Sequence, residues 1–302
     1  MKTYALVLTS SPAAPALTAE IVDRALAALS GSTRGETLWL SEHEAWQVQF
    51  SVSEPPDADQ VRATVAEALA NLPADVNVVP DDASRRKKLL VADMESTIIE
   101  QECLDELADH IGLRDRISEI TARAMRGEIA FEEALKERVG LLKGLDADVL
   151  EKLYDRITLV PGARELVATM RANGAYCALV SGGFTFFTER IAARLGFHTH
   201  QANTLDIVDG RLTGTVSPPI LGREAKLAAL ERLRRDLNLQ PEETLAVGDG
   251  ANDLDMIRAA GLGVAFRAKP VVTAAARASI RFGDLTALLY LQGYTRKEFV
   301  AQ

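Results

Sequence analysis

The sequence predicts an α/β fold: a doubly wound parallel sheet with a helical cap inserted after its first strand, preceded by a small α+β unit. Three observations lead there. Two short apolar runs, Leu89–Ala92 and Leu245–Val247, run straight into acid-rich segments, Asp93-Met-Glu-Ser-Thr97 and Gly248-Asp-Gly-Ala-Asn-Asp253. Buried parallel strands read as such runs, and α/β sheets place ligands beyond the carboxyl ends of their strands. Further apolar strands at Tyr176–Val180 and Gly263–Phe266 alternate with helical stretches, the pattern of right-handed crossovers. Between Leu89 and Pro161 the chain instead reads as helix for about sixty residues, far more than a crossover needs.

The first eighty residues read as strand, helix, two strands, helix, strand. Tyr4–Thr9 is apolar, and Leu17–Leu29 places Ile21, Ala25 and Leu29 at helical spacing. Glu36–Leu40 and Trp46–Val52 alternate as neighbouring half-buried strands, Val61–Leu72 is an amphipathic helix, and Val76–Val79 closes the unit. That order suits a ferredoxin-like sheet over residues 1–80. Residues 81–88, Asp-Asp-Ala-Ser-Arg-Arg-Lys-Lys, read as a polar linker to a core spanning 89–302. Within it, a cap at about residues 100–160 is expected from apolar spacings of three and four in Cys103–Ile111, Ile117–Met125, Phe131–Leu142 and Val149–Ile157. Asn203–Val208 and Leu212–Val216, joined through Asp209-Gly210, form a hairpin at the sheet margin.

The 302 residues are 47% apolar and 25% charged, ordinary for a folded protein with a sizeable core. A formal charge of −9 argues against nucleic acid or an anionic membrane as the main partner. No apolar run reaches the ~18 residues of a membrane span, and Met1–Thr9 fits a first strand better than a leader. Cys103 and Cys177 lack metal-ligand spacing and read as buried thiols in a reducing compartment, so a cytoplasmic location is expected. His198-Thr-His200 has no cysteine nearby to complete a zinc site.

Two acids delivered to one sheet edge can share a divalent cation, since hard oxygen donors suit Mg²⁺; Mn²⁺ accepts the same ligands. Such a site is built for phosphate. Val180-Ser181-Gly182-Gly183 adds a strand ending in a hydroxyl- and amide-rich turn, and Lys226 adds a cation near the start of the helix after Gly222. Each feature alone has a mundane reading, because acids and hydroxyls also cap helices. Their convergence in this order is what points to chemistry.

These residues resemble the haloacid-dehalogenase superfamily from about Leu89 to Leu291, and within it the phosphoserine phosphatase family. The similarity rests on Asp93-Met-Glu-Ser-Thr-Ile-Ile-Glu-Gln-Glu102, Phe131 through Arg138-Val-Gly-Leu-Leu142, Ser181-Gly-Gly-Phe184 and Gly248-Asp-Gly-Ala-Asn-Asp253. The leading unit is similar, in pattern only, to the ACT-like domain that often precedes such phosphatases. The resemblance implies hydrolysis of O-phospho-L-serine, the last step of serine biosynthesis, with Asp93 as the nucleophile that becomes an aspartyl-phosphate. Asp93, Asp249 and the main-chain carbonyl of Glu95 would hold Mg²⁺, with Asp253 supporting them. Ser181, Gly182, Lys226 and Asn252 would hold the phosphate oxygens.

One position departs from that pattern. Glu95 stands where the family carries Asp as acid and base; its extra methylene moves the carboxylate by about 1.5 Å unless the chain adjusts. In the cap, the resemblance implies that Arg138 grips the substrate carboxylate, Glu102 pairs with its ammonium, and Met125 and Phe131 form an apolar wall. Beyond the substrate, the expected partners are an amino-acid effector at the N-terminal unit and a second copy in a homodimer. Rival expectations are a phosphatase or phosphotransferase for another small ester, and a serine sensor whose Glu95 core turns over poorly.

Overall fold

The computed structural model describes residues 2–29, 33–52, 58–69, 72–125 and 128–300, with main chain only at 52, 59 and 125. The small unit runs β1 (Lys2–Ser10), α1 (Ala19–Ala28), β2 (Thr33–Ser41), β3 (Ala45–Val52), α2 (Ala58–Leu69) and β4 (Ala74–Pro80). Its antiparallel sheet has the order β2-β3-β1-β4, the expected ferredoxin-like arrangement. Strand alternation divides β1 between two cores. Leu6 and Leu8 pack with Trp46, Val48 and Phe50 under Ile21, Val22 and Ala25 of α1 and Val65 and Leu69 of α2. Ala5 and Val7 face the other way and join the core of the large unit.

The large unit continues with β5 (Leu89–Ala92) and four cap helices: α3 (Cys103–His110), α4 (Arg114–Met125), α5 (Phe131–Gly140) and α6 (Asp148–Tyr154). Then come α7 (Ala163–Ala172), β6 (Tyr176–Phe184), α8 (Thr185–Leu195), β7 (Thr199–Val208), β8 (Arg211–Ser217) and α9 (Arg223–Asp236). The chain closes with β9 (Thr244–Gly248), α10 (Leu254–Ala259), β10 (Leu262–Phe266), α11 (Pro270–Thr273), β11 (Ala278–Ile280) and α12 (Ala287–Leu291). Among the described residues the sheet has seven strands in the order β11-β10-β9-β5-β6-β7-β8, with only the β7–β8 pairing antiparallel. Leu90, Ala92, Leu179 and Val247 point into one core; Leu89, Val91, Val180 and Ala246 point into the other, against α9 and α10. Burial on both faces is why β5 and β9 carry no polar alternation.

Two details differ from the sequence reading. The Ser181–Gly183 segment is no turn: β6 runs on to Phe184, with an irregularity in register between Val180 and Phe184. Residues 81–88 are polar but packed. Arg85 and Lys87 of the expected polar linker are buried, and the Arg85 guanidinium donates to Asp81, Gln47 and the Leu291 carbonyl.

The cap rises from a narrow neck. The Glu100 amide donates to the Thr158 carbonyl and the Val160 amide to that of Ile98, so the two chain crossings are tied together. The β7–β8 hairpin braces the far end, where the Gly144 amide donates to the Leu212 carbonyl.

Candidate active site

β5 and β9 are neighbours, with Ala92 opposite Val247, so their acids emerge side by side. The Asp93 amide donates to the Val247 carbonyl at 3.0 Å, which fixes the start of its loop against β9. Past Asp93 the chain coils tightly: Ser96 takes a positive φ of 52°, and the amides of Ile98 and Ile99 both donate to the Met94 carbonyl. Asp93, Asp249 and Asp253 each offer an oxygen within 4.8 Å of the others.

The glycines of the second motif make this crowding feasible. A Cβ on Gly248 would lie 2.3 Å from Asp253 Cγ, and one on Gly250 would lie 2.2 Å from Asn252 Oδ1. Asp253 is fully buried; its Oδ2 accepts from the Gly250 amide and its Oδ1 from Lys226. Lys226 sits on the buried stripe of α9 with Ala229, Leu230 and Leu233, at helical spacing. Its Nζ lies 2.7 Å from Asp93 Oδ1 and 2.6 Å from Asp253 Oδ1.

One ammonium faces three carboxylates. Burial works against the Lys226 charge, but Asp253 and Asp93 outweigh it and hold its pKa above the ordinary value. Burial and then Asp253 drive Asp93 well above the usual carboxylate range, against the pull of Lys226. Burial, Asp253 and Glu102 push Asp249 up to about 6. The Asp249 carboxylate has no hydrogen bond or ion pair among the described residues, and Asp93 takes its hydrogen bonds on Oδ1 alone. A hard, oxygen-only donor set short of positive charge fits a small divalent cation.

A cavity of about 380 Å³ opens above these acids. On the core side it meets Asp93, Glu95, Gly182, Asp249 and Asn252; on the cap side it meets Glu102, Phe131 and Arg138. Ser181, Lys226 and Asp253 are buried behind that lining, and Ser181 Oγ accepts from the Gly183 amide. Phe131 reaches across from the cap: its ring lies 3.1 Å from where Gly222 would carry a Cβ and 3.7 Å from the same point on Gly182. Arg138 donates to Thr121 Oγ1 and to the Ala134 carbonyl, and burial lowers its pKa against the charges of Asp105, Glu95 and Glu102. Glu102 accepts from Ser96 Oγ at 2.7 Å. The Met125 side chain lies outside the described residues.

Glu95 is folded into the wall. Its Oε1 accepts from the Cys103 amide at 2.8 Å, and its Oε2 lies 2.7 Å from where a Cβ on Gly183 would stand. Burial first and the Glu102 charge second push its carboxyl up to about 7, with the Cys103 amide pulling back. Sequence reasoning took Cys103 as mere packing and passed over Lys269, whose amide donates to the Asp249 carbonyl and whose side chain lines the cavity. Lys269 follows β10 in a loop with no motif, so only the fold brings it here.

Residues 90–258 match the haloacid dehalogenase-like hydrolase family. The chain is 44% identical over 273 residues to a phosphoserine phosphatase of Streptomyces coelicolor, covering 90% of this chain and 66% of that protein. It is 46% identical over 233 residues to a phosphoserine phosphatase of Archaeoglobus fulgidus, covering 77% and 68%. The chain thus spans about two thirds of the length of these curated relatives. A solved structure of a probable phosphoserine phosphatase from Vibrio cholerae superposes with a TM-score of 0.78 at 32% identity, covering 98% of this chain and 88% of that one. The chain belongs to the haloacid dehalogenase-like hydrolases and, within them, to the phosphoserine phosphatase family.

Proposed function

We propose that this protein hydrolyses O-phospho-L-serine to L-serine and phosphate, as the last step of serine biosynthesis. The observation that carries the reading is one cavity with Asp93 and Asp249 on its core side and Arg138 and Glu102 on its cap side. A phosphate directed at the acids leaves the carboxylate and ammonium of serine to the two cap charges.

An Asp93 carboxylate oxygen attacks phosphorus, the bond to the serine oxygen breaks, and Glu95 delivers a proton to that oxygen. Water then attacks the aspartyl-phosphate while Glu95 takes its proton, which frees phosphate and restores the Asp93 carboxylate. Lys226 holds Asp93 in place and, with Ser181, the Gly182 amide and Asn252, orients the phosphate oxygens. Phe131 keeps bulk water away from the intermediate. Asp93, Asp249 and the Glu95 carbonyl would hold Mg²⁺, supported by Asp253, and the ion supplies the positive charge that an anionic nucleophile needs beside an anionic ester.

Residues 1–80 serve in this proposal as a regulatory domain open to an amino-acid effector. The sheet edge at β2, where Leu38 and Trp39 are exposed, supports a homodimer. A cytoplasmic location rests on the two free, buried cysteines; no helix among the described residues is long and apolar enough to cross a membrane.

The test is phosphate release from phosphoserine by purified protein with Mg²⁺, beside an Asp93→Asn control. Turnover should depend on Asp93, and equal release by the control would overturn the reading.

A further inference from the structure

A second, larger cavity of about 690 Å³ lies on the seam between the two sheets, away from the acids of the catalytic edge. One wall comes from α2 and β4 of the small unit, the other from the loops that follow β10 and β11. Three arginines reach it: Arg62 from α2, Arg267 after β10 and Arg281 after β11. Among the described residues Asp75 is the one carboxylate in its lining.

Asp75 does not neutralise these cations by contact. Its oxygens accept from three successive amides, those of Arg281, Phe282 and Gly283, and no guanidinium lies within ion-pair reach of it among the described residues. Arg267 donates to the Gly283 carbonyl and lies beside the Phe266 ring; Arg281 lies beside the Phe282 ring. Neither has a carboxylate partner among the described residues. Arg267 is held by a backbone carbonyl and a ring and Arg281 by a ring alone, which leaves N–H groups on both to serve a ligand. Ser279 adds a hydroxyl, while Ala63 and Ala66 leave apolar room for an organic body.

We propose that this seam cavity binds a small molecule bearing phosphate-type oxyanions with two or more negative charges, held by Arg267 and Arg281. The volume falls within the range of small-molecule sites, about 300–1,000 Å³. Guanidinium forks match phosphate oxygens in pairs. One loop links the two cavities along the chain: Arg267 and Ala268 line the seam, and the next residue, Lys269, lines the catalytic cavity and donates its amide to the Asp249 carbonyl. The proposal stands independently of the phosphoserine reading.

Inorganic pyrophosphate is a suitable probe, titrated calorimetrically into the metal-free full-length protein. Without metal, the uncompensated acids at the catalytic edge repel such an anion. One site per chain is expected, weakened on the order of tenfold or more in Arg267→Ala/Arg281→Ala and unchanged in Arg138→Ala. Circular dichroism and turnover with Mg²⁺ would show that the double variant stays folded. Hydrogen exchange should slow at residues 267–270 and 277–283 when pyrophosphate binds. Binding that survives the double variant, absence of binding to the parent, or protection confined to residues 93–97 and 181–183 would overturn the proposal.

Discussion

Lys226 Nζ lies 2.7 Å from Asp93 Oδ1 and 2.6 Å from Asp253 Oδ1, so one buried ammonium clamps the proposed nucleophile to its neighbour. All three side chains are nearly inaccessible to water, and removing the cation strands two like charges. Breaking a buried pair from one side costs about 3–5 kcal/mol. Lys226→Met should therefore lower stability by about that much in denaturant unfolding and abolish turnover. Adding Asp253→Asn should recover part of the stability and none of the activity. Unchanged stability in the single variant would contradict the clamp.

Glu95 gives a pH dependence with a definite sign. Its carboxyl, pushed up to about 7 by burial and then by Glu102, is the acid proposed to protonate the leaving serine oxygen. The acid form is lost as pH rises through that value, so the burst of serine release in a single turnover should decline above about pH 7. Glu102→Gln removes one of the two raising causes and should move this decline to lower pH. Glu95→Gln should cut turnover by about 10²–10⁴-fold. A decline at the same pH in the Glu102 variant would separate it from Glu95.

The Glu95 carboxylate also fills the space that a side chain at position 183 would need. Gly183→Ala should push the acid out of place, lowering kcat with little change in stability. Glu95→Asp withdraws the carboxylate by about one methylene, so the double variant should be better than the sum of the two single losses. Strictly additive effects in kcat would mean the two positions do not compete.

Arg138 carries the specificity argument. Phosphoethanolamine lacks the carboxylate that Arg138 is proposed to receive, and a charged hydrogen bond is worth about 1.5–3 kcal/mol. The parent should thus favour phosphoserine by roughly tenfold to a hundredfold in kcat/KM, and Arg138→Ala should erase that preference. Retention of full preference would assign the carboxylate to another group.

Much of this site was legible because buried parallel strands announce themselves. Leu89–Ala92 and Leu245–Val247 could hardly be anything else, and each leads directly into the acids that meet at the sheet edge. The spacing of Gly248, Asp249, Gly250 and Asp253 reflects the absence of room for a Cβ beside Asp253 and Asn252. What local pattern could not reveal were contacts made by docking. Arg85 and Lys87 look like linker charges because nothing nearby in sequence declares the Leu291 and Glu242 carbonyls they reach. Lys269 is likewise ordinary in its own segment and enters the site only when distant strands align, while Cys103 enters through its main-chain amide, which no side-chain pattern announces.

The docking of the two sheets yields the last prediction. Edge strands β4 and β11 meet through side chains that imitate a ladder: Asn77 Nδ2 donates to the Ser279 carbonyl, and the Ser279 amide donates to Asn77 Oδ1. Two residues earlier, Asp75 gathers the amides of Arg281, Phe282 and Gly283. Burial raises the Asp75 pKa, with those amides pulling it back, so these hydrogen bonds offset part of the cost of a carboxylate at the seam. Asp75→Ala leaves three backbone donors without their acceptor, at a cost of about 1–3 kcal/mol for each that water cannot reach. Because Ala5, Val7 and Val79 of the small sheet share the core of the large unit, the loss should lower one cooperative unfolding transition. Calorimetric scanning of the parent and variant checks this directly. Two separate transitions in the parent would mean that the small sheet is only loosely docked, and the shared core could not then be the basis of its stability.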